Sequence, residues 1–124
     1  MSNPPLQTLV RHVGDAPRDR STCGWRDRLI SREDTDVAAW VHVVDIDGAR
    51  LHYHKRSTEI YYVLEGDGIV VLDDVEHPVR PGSLLHIPPG VVHGGRGRMR
   101  VFVVGIPDIP DDDVYYPEES AGEL

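Results

Sequence analysis

Short runs of β-branched and aromatic residues recur through the middle of the chain, each stopped by turn residues. The runs are WVHVVDI (40–46), ARLHYH (49–54), EIYYVLEG (59–66), GIVVLDD (68–74), SLLHIP (83–88) and MRVFVVGI (99–106). Between them stand Asp47-Gly48, Gly66-Asp67-Gly68, Arg80-Pro81-Gly82 and Pro88-Pro89-Gly90. Strand-length apolar stretches with Gly/Pro punctuation predict pleated strands, and helical periodicity is weak throughout. With 12 glycines and 10 prolines, few ten-residue windows could hold an unbroken helix. The pattern points to an all-β antiparallel sandwich or barrel, not a βαβ fold.

The two ends differ from this middle. Residues 1–35 read as an N-terminal arm carrying candidate edge strands, LQTLV (6–10) and CGWRDRLIS (23–31). Residues 36–106 form the barrel, and 107–124 read as a loose acidic, Pro-rich tail. A chain of 124 residues is one domain, without room for an appended helix-turn-helix module.

Charge narrows the partners. Thirteen basic residues against 21 acidic give a net charge of −8, a surface that repels nucleic-acid phosphates and anionic lipid. No apolar run approaches the roughly 20 residues of a membrane span, and the N-terminus lacks a signal-peptide core. The single cysteine, Cys23, cannot close an intrachain disulfide, and a reduced, cytoplasmic protein with an inert thiol is expected.

The candidate chemistry lies in HYHKRSTEIYYVLEG (52–66). Alternate strand residues share a face, so His52 and His54 start about 6.6 Å apart on one side and can converge on one ion. The loop KRST (55–58) would return the chain, and Glu59 would open the next strand in reach of that ion. In this phase Glu59, Tyr61 and Val63 look inward. A fourth donor, His93, follows a segment framed by Pro-Gly turns (81–93) that can face it into the same interior. By contrast His12, His42 and His77 have no ligand-type neighbours in sequence and read as ordinary residues.

These stretches resemble the two motifs of the cupin superfamily. His52, Tyr53, His54, four residues, Glu59, six residues and Gly66 match the first motif. Gly82, five residues, Pro88-Pro89-Gly90, two residues and His93 match the second. The first motif's leading glycine is displaced to Gly48, and Gly97 replaces the second motif's closing asparagine; all four ligand positions keep their residue type. The resemblance covers about residues 37–106 and implies a double-stranded β-helix, or jelly-roll, barrel. It also implies a divalent transition metal (Fe, Mn, Ni, Zn, Co or Cu) on His52, His54, Glu59 and His93, and a homodimer built by exchanging N-terminal strands.

Three imidazoles and one carboxylate leave a divalent ion with net charge near +1, suited to a small oxygen-rich substrate. Parity adds two candidate catalytic residues. Arg50 is in phase with His52 and could grip a substrate carboxylate, or could be a solvated strand-end cation. Tyr61 is in phase with Glu59 and could act as an acid, or could be a core aromatic. His86 reads as outward or mouth-lining, RGRMR (96–100) as a solvated turn, and Trp25 and Arg26 as packing over the barrel or a partner subunit. The expected function is a metal-dependent enzyme, dioxygenase-like or isomerase/lyase-like, acting on a small organic acid, phenol or sugar derivative. The alternative is a non-catalytic cupin that binds a small molecule or metal.

Overall fold

The computed structural model describes residues 8–34, 36–48 and 50–117. Seven strands make up its regular structure: β1 (Arg18–Arg20), β2 (Gly24–Ile30), β3 (Trp40–Asp47), β4 (Thr58–Leu72), β5 (Val75–Val79), β6 (Leu84–Ile87) and β7 (His93–Ile106). All pairings are antiparallel, in the order β1-β2-β3-β7-β4-β5, with β6 also on β4. This is the expected jelly-roll barrel. Trp40, Val44, Ile46, Tyr61, Val63, Val101 and Val103 fill its interior, each at the inward phase of a strand.

Some boundaries depart from the sequence expectation, for physical reasons. Gly66-Asp67-Gly68 is not a turn: β4 runs through it as one 15-residue strand beside the 14-residue β7. Here β4 and β7 approach so closely that a Cβ on Gly66 (φ +77°) would lie 2.2 Å from the Arg98 carbonyl oxygen. Glycine therefore serves backbone contact, not chain reversal. RGRMR is likewise part of β7, not a solvated turn, and Arg100 pairs with Asp45 and Asp27.

The segment β5 went unseen because VEHPV lacks alternation and contains Pro78. It is an exposed edge strand, where a proline costs no ladder bond that the sheet needs. Asp73 and Asp74, both at positive φ, make the tight turn before it. Of LQTLV, Leu6 and Gln7 lie outside the described residues, and Thr8–Val10 form no strand. CGWRDRLIS does supply β2, which pairs with β3 of its own chain.

Residues 107–117 are not a loose tail. Ile109 is buried against the core, and Trp40 Nε1 donates to its carbonyl at 3.2 Å. Asp113 is fully buried, and Tyr115 exchanges two backbone hydrogen bonds with Tyr53.

Candidate metal centre

ARLHYH is not a regular strand, yet its end is held as firmly as one. His52 and His93 exchange two backbone hydrogen bonds, at 3.0 and 2.8 Å, and Gly90 N–H donates to the His54 carbonyl at 2.7 Å. On the opposite edge Tyr53 pairs with Tyr115, so residues 52–54 are clamped between the turn before β7 and the C-terminal segment. KRST is accordingly no hairpin loop. It wraps the Asp113 carboxylate, which accepts from the backbone N–H groups of Lys55, Arg56 and Ser57 at 2.8, 3.2 and 3.2 Å. The Ser57 hydroxyl donates to the same carboxylate at 3.1 Å. Burial opposes the Asp113 charge, but these donors outweigh it and hold its pKa below the usual carboxylate range.

Glu59 enters at the start of β4, between Ile87 of β6 and Gly105 of β7. The structure thereby brings His52, His54, Glu59 and His93 together: all four are buried, with one candidate ligand atom from each within 4.8 Å of every other. Each imidazole is oriented by its far nitrogen. Nδ1 meets a backbone carbonyl in all three: Arg50 at 2.7 Å for His52, Asp113 at 2.7 Å for His54, and Val91 at 2.9 Å for His93. A carbonyl only accepts, so Nδ1 carries the proton and Nε2 presents its lone pair to the centre.

His54 Nε2 and His93 Nε2 then lie 2.8 and 2.7 Å from the same Glu59 oxygen. Lone pairs and a carboxylate that converge in a buried space require a cation or protons between them. For Glu59 burial favours the neutral form, yet the two imidazoles outweigh it and its pKa falls far below the carboxylate range. For His54 burial disfavours charge, but the Glu59 hydrogen bond prevails and the pKa rises. The mixed N/O donor set fits a divalent transition ion.

A cavity of about 60 Å³ adjoins the cluster. Tyr61 faces it, only 2 % exposed, with a pKa raised by burial and then by neighbouring Cys23 and Glu59, so it holds its proton. The Cys23 thiol is 3.9 Å from His52 Nε2 and 3.8 Å from the Tyr61 hydroxyl. Its pKa is pushed up to about 12, mainly by burial and then by the Glu59 charge. It is a thiol, as expected of an inert cysteine.

Arg50 does not enter the barrel. It is exposed and lies over the Tyr116 ring, 3.7 Å from its centre. The even phase from His52 fails because residue 50 precedes the pinned segment and belongs to no strand. His86 faces outward, opposite Ile60.

Two buried polar residues at the site have no counterpart in the sequence reading. Asp113 had no signal beyond an acidic run. His42, taken for an ordinary residue, is 2 % exposed, lines the cavity and stacks on Trp40 with ring centres 3.7 Å apart. Its strand phase with Trp40, Val44 and Ile46 would have placed it inside.

The fold and cluster define a small β-barrel protein able to hold one divalent metal. A family model for the cupin domain matches residues 40–105, and the chain belongs to that family. A protein from Planctomyces limnophilus has a similar structure, with a TM-score of 0.81, 25 % identity, and coverage of 89 % of this chain and 97 % of that one. Quercetin 2,3-dioxygenase from Bacillus subtilis is 42 % identical over 45 residues, 36 % of this chain and 13 % of that protein. The dimethylsulfoniopropionate lyase DddW of Ruegeria pomeroyi is 44 % identical over 48 residues, 38 % of this chain and 32 % of that protein. The chain spans about a third or less of the length of the curated relatives it matches. No helix among the described residues is long and apolar enough to cross a membrane.

Proposed function

We propose that this chain is a metal-dependent enzyme whose substrate is a small, oxygen-rich organic molecule, and that its reaction is of the isomerase or lyase type. The observation that carries this reading is the convergence of three Nε2 lone pairs and one carboxylate, each imidazole fixed by a carbonyl at Nδ1. A divalent ion held there would supply Lewis acidity and a template for oxygen ligands. The chain's own residues do the rest. Tyr61 keeps its proton at neutral pH and can offer it, as a hydrogen bond or as an acid, to a substrate oxygen in the cavity. Val44, Ile46 and Val103 keep that space dry, which strengthens each polar contact in it. The local similarity to a lyase, DddW, supports the lyase side of this reading.

A second reading, oxygen-dependent ring or enol cleavage, is supported by the local similarity to quercetin 2,3-dioxygenase. Two measurements separate the readings. Elemental analysis of protein purified without added metal should find close to one transition-metal ion per chain; its absence, with no uptake on reconstitution, overturns both. An oxygen electrode, with small hydroxy acids and enols as substrates, should then record product without oxygen consumption. Stoichiometric oxygen uptake would favour the dioxygenase, and tight binding without turnover a non-catalytic binding protein. A cytoplasmic homodimer remains part of the proposal, and light scattering at monomer mass would remove the dimer.

A further inference from the structure

His42 is the buried side chain that the proposed function leaves unused. Among the described residues neither of its ring nitrogens has a hydrogen-bond partner, although the residue is 98 % buried and lines the cavity beside the metal centre. Buried imidazole nitrogens are normally paired, and those of His52, His54 and His93 are. Its place across the sheet is fixed by register. His42 of β3 pairs with Val103 of β7, which pairs in turn with Tyr61 of β4. Two strand spacings set the His42 and Tyr61 backbones about 10 Å apart on the concave face. Glu59 and Trp40 flank Gly105 in the same way, one step along. The cavity thus has a polar wall at the metal centre, an apolar floor at Val103, and a second polar wall at His42.

The charge at that second wall is already spent. Arg26 is the sole arginine or lysine among the described lining residues, and Asp19 holds it at 2.7 and 3.1 Å. His42 itself is kept uncharged, with a pKa lowered to about 3 by burial and then by Arg26. This wall offers a carboxylate no free cation, but it offers a hydroxyl or carbonyl both a donor and an acceptor.

We propose that His42 is a second substrate-contacting residue, which hydrogen-bonds a hydroxyl or carbonyl oxygen on the part of the substrate remote from the metal centre. The inference rests on the metal-site reading above. It narrows the substrate class to molecules with a metal-binding oxygen function at one end and an uncharged oxygen at the other, joined by a short apolar link. This differs from the carboxylate grip expected of Arg50.

Hydroxamates test both layers separately, since their head group binds transition ions whatever the tail carries. The metal-loaded protein is titrated calorimetrically with glycolo-, 3-hydroxypropano- and 4-hydroxybutanohydroxamate, each against the alkyl analogue with a methyl group in place of the hydroxyl. One member of the series should bind about tenfold more tightly than its analogue, a charge-neutral hydrogen bond's worth of discrimination. His42→Phe, which keeps a flat ring on Trp40, should abolish that advantage and leave metal content and the alkyl affinities unchanged. His42→Gln, with a donor and an acceptor, should restore part of it. If the alkyl hydroxamates bind but no hydroxyl adds affinity, or if the gain survives His42→Phe, the role of His42 is overturned. If the protein takes up no metal, the metal-site reading falls and this inference with it; if metal is taken up but no hydroxamate binds, the role of His42 alone is overturned.

Discussion

Two sets of buried histidines lie in or beside one cavity and differ in what holds their rings. His52, His54 and His93 each have one nitrogen fixed by a backbone carbonyl, so the other is aimed at a common point. The His42 ring stacks on Trp40, and neither of its nitrogens is hydrogen-bonded among the described residues. Burial is nearly equal in the two sets, so burial does not tell a ligand from a contact residue. The second hydrogen bond does: it fixes a tautomer and a direction, as a metal needs, whereas the stacked ring offers either nitrogen to whatever enters.

The largest effect should come from breaking the convergent set. Glu59→Gln removes the one negative charge that His54 and His93 share. Metal affinity, measured by competition with a fluorescent chelator, should fall by at least about 100-fold, beyond the 10–100-fold typical of losing an outer partner. His42→Phe should leave it unchanged. Equal loss in the two variants would erase the distinction.

The clamp behind the convergent set comes next. Asp113→Ala leaves three backbone N–H groups and the Ser57 hydroxyl without their acceptor. It also frees the segment whose carbonyl orients His54. Urea unfolding should show a loss of about 3 kcal/mol, as for a buried charged acceptor with several donors. Metal affinity should fall with it.

The convergent cluster was legible in the sequence because it follows local rules: His52 and His54 by strand phase, Glu59 by the start of the next strand, His93 by the turns before it. The inward phase of Glu59, Tyr61 and Val63 in β4 was legible for the same reason. Asp113 was not, since its donors lie more than fifty residues away and an acidic run looks alike whether solvated or buried. Gly66 and Gly68 misled because glycine marks both a turn and a close approach, and only the partner strand decides. Arg50 misled because strand phase was extended beyond the bridged residues His52 and Tyr53.

Acid should separate the two sets further. The His42 pKa is about 3 when folded, against an ordinary value of 6.5. Burial lowers it first, Arg26 and Arg28 add to this, and Asp19 and Glu59 oppose. With the folded pKa depressed, the stabilising contribution is complete above about pH 6.5 and is lost as pH falls toward about 3, because the unfolded chain binds the proton first. Between about pH 7 and pH 5 the wild type should lose about 2 kcal/mol through His42 alone. Urea midpoints for wild type and His42→Phe should diverge by that amount over the interval. Parallel pH profiles would mean that His42 charges in the folded protein and is no neutral contact.

Arg50→Ala should have the smallest effect, and its smallness is informative. The guanidinium lies on the Tyr116 face at 3.7 Å, outside the barrel, and Tyr116 in turn reaches the Thr22 hydroxyl at 3.2 Å. Losing an exposed cation–π contact costs about 0.5–1 kcal/mol, visible as a small shift in the urea midpoint. The His52 Nδ1 partner is the Arg50 carbonyl, a backbone atom that the substitution keeps, so metal affinity should change less than about twofold, well below an outer-partner effect. Hydroxamates bearing a terminal carboxylate should bind wild type and variant alike, since neither Arg50 nor the Asp19-bound Arg26 offers them a cation. A strong, carboxylate-specific loss in Arg50→Ala would return this arginine to the substrate and make the His42 wall the lesser determinant of what the cavity accepts.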